Sequence, residues 1–248
     1  MKEIFKLKHL DLIIEQDNSK KDFATLMREV LGYKNSVFGK AKWFVKNFLK
    51  IKGMVAKISS MDYSKMEINE NSIIKKPVSV DHVTYLQMLE LQSLVNSNDG
   101  ESMSAYIARV IAITTYGENR TNEYKADSPS FNNHLHIVLN QPLKDMVGLY
   151  NWILKDIDKT SKDWQERFLS VEVTDNDFTR AGGDNLQQFN VLFTIKTLCK
   201  EFNVSEKEAW HISYYLAQTN SYATAYQGFI QENIRIAKEA EIKAKSLN

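Results

Sequence analysis

This 248-residue chain has one cysteine, three prolines and nine glycines. A lone thiol, Cys199, makes no internal disulfide, which suits synthesis in a reducing cytoplasm. So few glycines and prolines argue against an all-β protein built on many tight turns. No apolar run approaches the roughly 18 residues that a membrane-spanning helix needs, so no membrane span is expected. The opening MKEIFKLKHLDLIIEQ has acids inside its apolar stretch and no small-residue cleavage site, so it does not read as a secretory signal. Phosphate-cradling patterns are also missing: there is no Walker A motif and no G-x-G-x-x-G.

Acid is missing from one long stretch. Between Val30 and Met61 there is no Asp or Glu, while Lys34, Lys40, Lys42, Lys46, Lys50, Lys52 and Lys57 accumulate. The net charge of +1 hides an asymmetry: residues 1–76 hold 16 Lys+Arg against 9 Asp+Glu, and the remainder 16 against 22. Opposite charge at the two ends favours association with copies of the chain, or with an acidic and a basic partner.

What is present is helical periodicity. Over 38–58, Phe44, Phe48, Ile51, Val55 and Ile58 share one face, with Lys42, Lys46, Lys50 and Lys57 on the other. A helix is expected over Lys21–Leu31, capped by Gly32. Residues 62–80 suggest a linker or small hairpin. Asp81 is placed as the cap of a helix reaching Val95, NSNDG breaks it, and 102–115 resumes with Ala105, Ile107, Ala108, Ile111 and Ala112 inward. The polar run 116–133 is expected to be a long exposed loop.

Pro142 opens a helix with Leu143, Met146, Val147, Tyr150, Ile153, Leu154 and Ile157 inward. Gly182 and Gly183 end a helix. The next has Val191, Ile195, Leu198 and Phe202 as its buried stripe. Ser205 and Glu208 form a capping box. A last helix is expected from about Tyr222 to Lys245, with Tyr222, Tyr226 and Phe229 inward and Glu239–Lys243 and Glu241–Lys245 as i, i+4 pairs. The fold class is mainly α, a helical bundle-type subunit with a few short β segments. It divides into a basic N-terminal helical region with linker, 1–76, and a helical main domain, 77–248.

Residues that carry chemistry are sparse. His134 and His136 would share one side of a strand, but a metal needs a third ligand and none lies nearby in sequence. Cys199 follows inward Leu198 and reads as a buried structural thiol. Ser102 and Ser104 lack the second glycine of a nucleophile elbow and serve better as helix caps. No catalytic, cofactor-binding or metal residue is assigned, and no cofactor is expected.

Two surfaces remain. Trp210, Tyr214 and Tyr215 head an aromatic segment, residues 210–227, without interleaved basic residues, which favours packing or a protein interface over base stacking. Lys42, Lys46, Lys50 and Lys57 form the second candidate interface. Lysine without arginine points to non-specific phosphate contact or an acidic protein face, with plain solvent as the alternative.

VTYLQMLELQSLVNSNDGESMSAYIARVIAITTYG (83–117), LNQPLKDMVGLYNWILKDI (139–157) and the EAW and YLAQTNSYATAYQ segments together resemble helical ring or adaptor proteins of tailed, crAss-like bacteriophages, found between portal and tail. The similarity is one of character over about 60% of the chain. It leaves residues 1–60 without a counterpart and transfers no residue by position. It implies a non-enzymatic structural virion protein, made in the host bacterial cytoplasm. Such a protein forms a homo-oligomeric ring against portal or other tail and connector proteins, with possible non-specific contact with packaged DNA. A phage tail-assembly chaperone and a soluble helical nucleic-acid-binding protein are the competing expectations; an enzyme would need a pocket the motifs do not announce.

Overall fold

The computed structural model describes residues 5–15, 62–96, 102–120, 123–171 and 189–246. The lysines at 42, 46, 50 and 57, the helices expected at 21–31 and 38–58, and the Gly182–Gly183 stop lie outside the described residues. The fold is mainly α. Its helices are α1 (Leu10–Glu15), α2 (Tyr85–Asn96), α3 (Met103–Asn119), α4 (Pro129–Leu139), α5 (Leu143–Leu169), α6 (Asn190–Phe202), α7 (Glu206–Ala209) and α8 (Tyr214–Ser246). In place of short β segments, the described residues contain two isolated antiparallel bridges, Lys6 with Pro142 and Thr84 with Ser213. No helix among the described residues is long and apolar enough to cross a membrane.

Contacts group the chain into two units, Met1–Pro77 with Glu90–Lys155, and Val78–Leu89 with Asp156–Asn248. The division falls inside α2 and α5.

The first unit is built around α3. Ile107, Ala108, Val110, Ile111, Ala112, Ile113 and Tyr116 are all buried, so this helix is apolar around most of its circumference, as an interior helix must be. Its two buried threonines are satisfied locally: Thr114 donates to the Val110 carbonyl (2.8 Å) and Thr115 to that of Ile111 (2.7 Å). At the N-terminus the Ser102 hydroxyl accepts from the Ala105 N–H, and the Asp11 carboxylate accepts from the Ser104 N–H at 2.9 Å. An acid at the positive end of the helix dipole is favourably placed.

The expected loop 116–133 is helical at both ends. Helix α3 continues to Asn119 and α4 begins at Pro129, leaving the connection shorter than its polarity suggests. Ser128 caps α4 by accepting from the Phe131 N–H (3.1 Å), with Pro129 at the first helical position. The anchors are aromatic. Tyr116, Tyr124 and Phe131 are buried and meet edge to face or tilted, with centroids 5.5–6.1 Å apart. The Tyr124 hydroxyl donates to Glu90, whose carboxyl burial holds above its ordinary range.

Segment 62–77 is neither hairpin nor strand. It contains a single 3-10 turn, Tyr63–Lys65, and lies against α5. Asn151 donates to the Tyr63 carbonyl (2.6 Å), and Asn69 donates to Asp145 (3.0 Å). The backbone approaches so closely at Gly148 that a Cβ there would stand 2.1 Å from the Glu67 carbonyl oxygen. Glycine is required at this crossing because it has no Cβ.

In the second unit α2 starts later than expected. Asp81 lies in a 3-10 turn, Val80–His82, and the cap is Thr84. The Thr84 hydroxyl accepts from the Gln87 N–H (3.2 Å), and Gln87 Oε1 accepts from the Thr84 N–H (3.0 Å). This is a T-x-x-Q capping box. The expected box at Ser205 forms as well: the Ser205 N–H donates to Glu208 Oε2 (2.9 Å) and the Glu208 N–H to the Ser205 hydroxyl. Helix α8 starts at Tyr214 rather than Tyr222. The polar run Gln218–Ser221 stays helical, with the Ser221 and Thr224 hydroxyls bonding back to carbonyls four residues earlier.

Candidate interaction surface

The second unit packs α2 against the start of α8 through backbone and rings. The Tyr85 N–H donates to the Ile212 carbonyl (2.8 Å), the Leu86 N–H to that of Trp210 (3.1 Å), and the Tyr214 N–H to that of Val83 (2.8 Å). First-turn N–H groups have no partner within their own helix, so each helix start supplies carbonyls to the other. The rings of Tyr85 and Tyr214 stack at 6.1 Å, with Trp210 tilted 6.2 Å from Tyr85. Burial pushes the Tyr85 hydroxyl to a higher pKa.

The three aromatic residues singled out in sequence therefore divide. Tyr214 is 8% exposed and belongs to the core, and Trp210 is half-buried. Tyr215, 45% exposed, points outward. It stacks on His82 (6.3 Å) and leans on Trp164 (5.9 Å), over which the Arg167 guanidinium sits at 4.7 Å. The rings continue along the helices: Trp164 to Phe168, Phe168 to Tyr222, Tyr222 to Tyr226, Tyr226 to Phe229, at 5.9–6.4 Å. Sequence reasoning missed Trp164 and Phe168. Their i, i+4 spacing on α5 was the available signal, but the inward pattern was followed only to Ile157.

Beyond this ladder α8 is largely uncovered. Tyr226, Ile230, Ile234, Ile236 and Ile242 are exposed; Tyr226, expected inward, is 46% exposed. On α6 only Ile195 and Leu198 of the expected stripe are buried. Val191 and Phe202 are exposed, together with Phe189, Leu192 and Phe193. The helix buries the middle of its stripe and presents the ends. Of the large apolar side chains exposed among the described residues, Ile73, Val95 and Met103 lie in the first unit and the rest in the second.

Concave features offer less. In the first unit a cleft of about 230 Å³ is lined by Glu90, Arg109, Ile113, Tyr124 and Asp127, below the usual range for a small-molecule site of roughly 300–1,000 Å³. A shallow groove of about 720 Å³ follows the crossing at Gly148, beside Lys65, Glu67, Trp152 and Lys155, with charges of both signs dispersed along it. A cleft of about 110 Å³ in the second unit contains Asp81, Asp156 and Arg167, and its Asp156 is occupied by Ser79 (2.8 Å) and the Val80 N–H (2.7 Å). Among the described residues no three His, Cys, Asp or Glu side chains gather as a metal site. His134 and His136 lie on a helix, not a strand. His134 is buried and His136 exposed, so they share no ligand position.

No family model, curated protein or solved structure matches the chain.

Proposed function

We propose that the protein is a structural assembly subunit, a ring or adaptor protein of a bacteriophage virion at the portal–tail junction or in the tail. It works by oligomeric association rather than catalysis. The observation that carries the assembly reading is the number of large apolar side chains left exposed on α6 and α8, those of α8 extending beyond an aromatic ladder. Leaving so many to water is unfavourable in a monomer, because burying apolar surface is worth roughly 25 cal/mol per Å². The virion setting rests on the sequence resemblance alone. In this reading Lys42, Lys46, Lys50 and Lys57 meet an acidic neighbouring subunit or packaged DNA.

Two measurements test the proposal. Sedimentation velocity should show concentration-dependent association of the purified chain, and mass spectrometry should find the chain in purified particles. A chain that stays monomeric at high concentration and is missing from particles would refute it. Presence during assembly but absence from finished particles would identify a chaperone instead. Changing the four lysines to Ser should leave the fold intact and impair assembly. A steep salt dependence of binding would assign their partner as polyanion, a shallow one as protein.

A further inference from the structure

Histidine is used unevenly in this chain. Of its five histidines the two buried ones, His9 (2% exposed) and His134 (1%), both lie in the layer that closes over α3. His134 is on α4, which packs along α3. His9 ends the 3-10 turn Leu7–His9, which packs on α1, α3 and α4. Backbone bonds tie the turn to the end of α4. The Leu7 N–H donates to the Gln141 carbonyl (3.0 Å), and the Leu143 N–H donates to that of Phe5 (2.9 Å).

Each imidazole is held neutral by its surroundings. His9 Nδ1 accepts from the Lys6 N–H at 3.1 Å. A proton on that nitrogen would set donor against donor, so a charged ring cannot keep this bond. His134 stands between Phe131 and Val138, and these three are the buried side chains of α4. Charging it strikes the middle of the face by which the helix is attached. Its Nε2 is 3.0 Å from the Thr115 hydroxyl, and the Tyr116 ring meets it edge-on at 5.8 Å.

Neighbouring charges give an imidazolium little relief. The charge that acts on His134 is the Arg120 guanidinium, of the same sign. Glu118 on α3 and Asp127 before α4 are exposed, and Glu90 accepts from Tyr124. Around His9, the turn itself carries Lys6 and Lys8. Asp11 on α1 is engaged by the N–H and hydroxyl of Ser104. On α3, Tyr106 packs against Tyr150 and Arg109 is exposed, as is His136 on α4. The Asp11–Ser104 bonds put the turn near the start of α3, while Thr115 lies eleven residues further on, about 16 Å along the helix. The layer is therefore fastened at two separate places, each by a neutral histidine.

We propose that α4 and the turn Leu7–His9 form an acid-released cover over α3, which protonation of His9 and His134 lifts as one piece while α5 is still folded. Histidine is the side chain whose charge changes in mildly acidic surroundings, and buried neutral histidines are how such switches are built. Release bares the side of α3 that carries Thr115 and Tyr116.

Hydrogen exchange of the full chain at pH 7 and pH 5, corrected for intrinsic rates, tests the proposal. Protection over 7–10 and 130–139 should fall together on acidification, while 146–153 on α5 keeps its own. With His134 lowered to about 4, that residue alone should promote opening about twentyfold between the two conditions. His9→Gln combined with His134→Gln should abolish the fall, and each single change should remove part of it. Unchanged protection between pH 7 and pH 5 overturns the proposal. So does an equal loss over 146–153, which would mark global acid unfolding, or a fall that persists in the double variant. Should the double variant not fold, nuclear magnetic resonance of the unsubstituted chain decides: the two imidazole Cε1–H signals should titrate together with the loss of α4 protection. Titration of either ring with α4 still protected overturns the proposal.

Discussion

Past Met103, helix α3 of the first unit leaves no large apolar side chain exposed, while α8 of the second exposes Tyr226, Ile230, Ile234, Ile236 and Ile242 along its outer half. Both are long helices with abundant apolar residues. The difference lies in what those residues meet. Around α3 the aromatic cluster, α1 and α4 close the surface, and the polar groups on the helix are satisfied within the unit. On α8 the ladder of rings runs out at Phe229 and the apolar pattern continues. Apolar periodicity marks a face that will be buried; whether its partner lies in the same chain is a separate question.

That contrast can be broken by substitution. The largest stability effect is expected in the first unit, where Ile111→Ala removes a fully buried side chain and should cost about 2–5 kcal/mol in urea unfolding.

Acidification should follow. Burial, assisted by the Arg120 guanidinium, lowers His134 to about 4. Thr115 already donates to the Ile111 carbonyl, so its oxygen accepts from His134 Nε2 at 3.0 Å, and the ring is the neutral Nε2–H form. Because the folded value is depressed, this contribution is complete above the ordinary histidine pKa near 6.5. It is lost as pH falls towards 4, by about 3 kcal/mol in total. Replacing His134 with Gln should flatten the profile in that window; an unchanged slope would contradict the assignment.

Glycines give the next comparison. Gly148→Ala drives a Cβ into the Glu67 backbone and should cost about 1–3 kcal/mol. Gly228→Ala on α8 has nothing within 4 Å and should gain up to about 1 kcal/mol from helix propensity. Opposite signs for one substitution would show directly which helix is hemmed in by its own chain.

The smallest effect on folding is expected at Ile230→Ser. Stability should stay within about 0.5 kcal/mol, while sedimentation shifts towards monomer. A large loss of stability without a change in association would place Ile230 in the fold rather than at an interface.

Much of the helical content was legible because periodicity and caps are local. Ser102 and the Ser205–Glu208 box each mark a start, whereas Ser128 with Pro129 is the same kind of signal inside a run expected to be loop. Asp81 misled because two cap-forming residues stand three apart, and the glutamine at 87 selects Thr84. The run 116–133 misled because its anchors, Tyr124 and Phe131, are single rings in polar sequence, and their burial depends on Tyr116 across the unit. Tyr214 and Tyr215 are adjacent, of one residue type, and on opposite sides of burial. Composition could not separate them; the helical turn that aims one at Tyr85 and the other at Trp164 does.

The two isolated bridges also set a schedule. The Phe5 carbonyl accepts from the Leu143 N–H and the Leu7 N–H donates to the Gln141 carbonyl, just as residues 83–86 wait on 210–214. A ribosome delivers the first partner of each pair long before the second. Until Gln141 emerges, residues 5–7 have no backbone to pair with, and the cap of α8 can close on 83–86 only after most of the chain has been made. The loop-closure cost of such distant pairs rises only with the logarithm of their separation, so waiting is cheap in free energy and long in time.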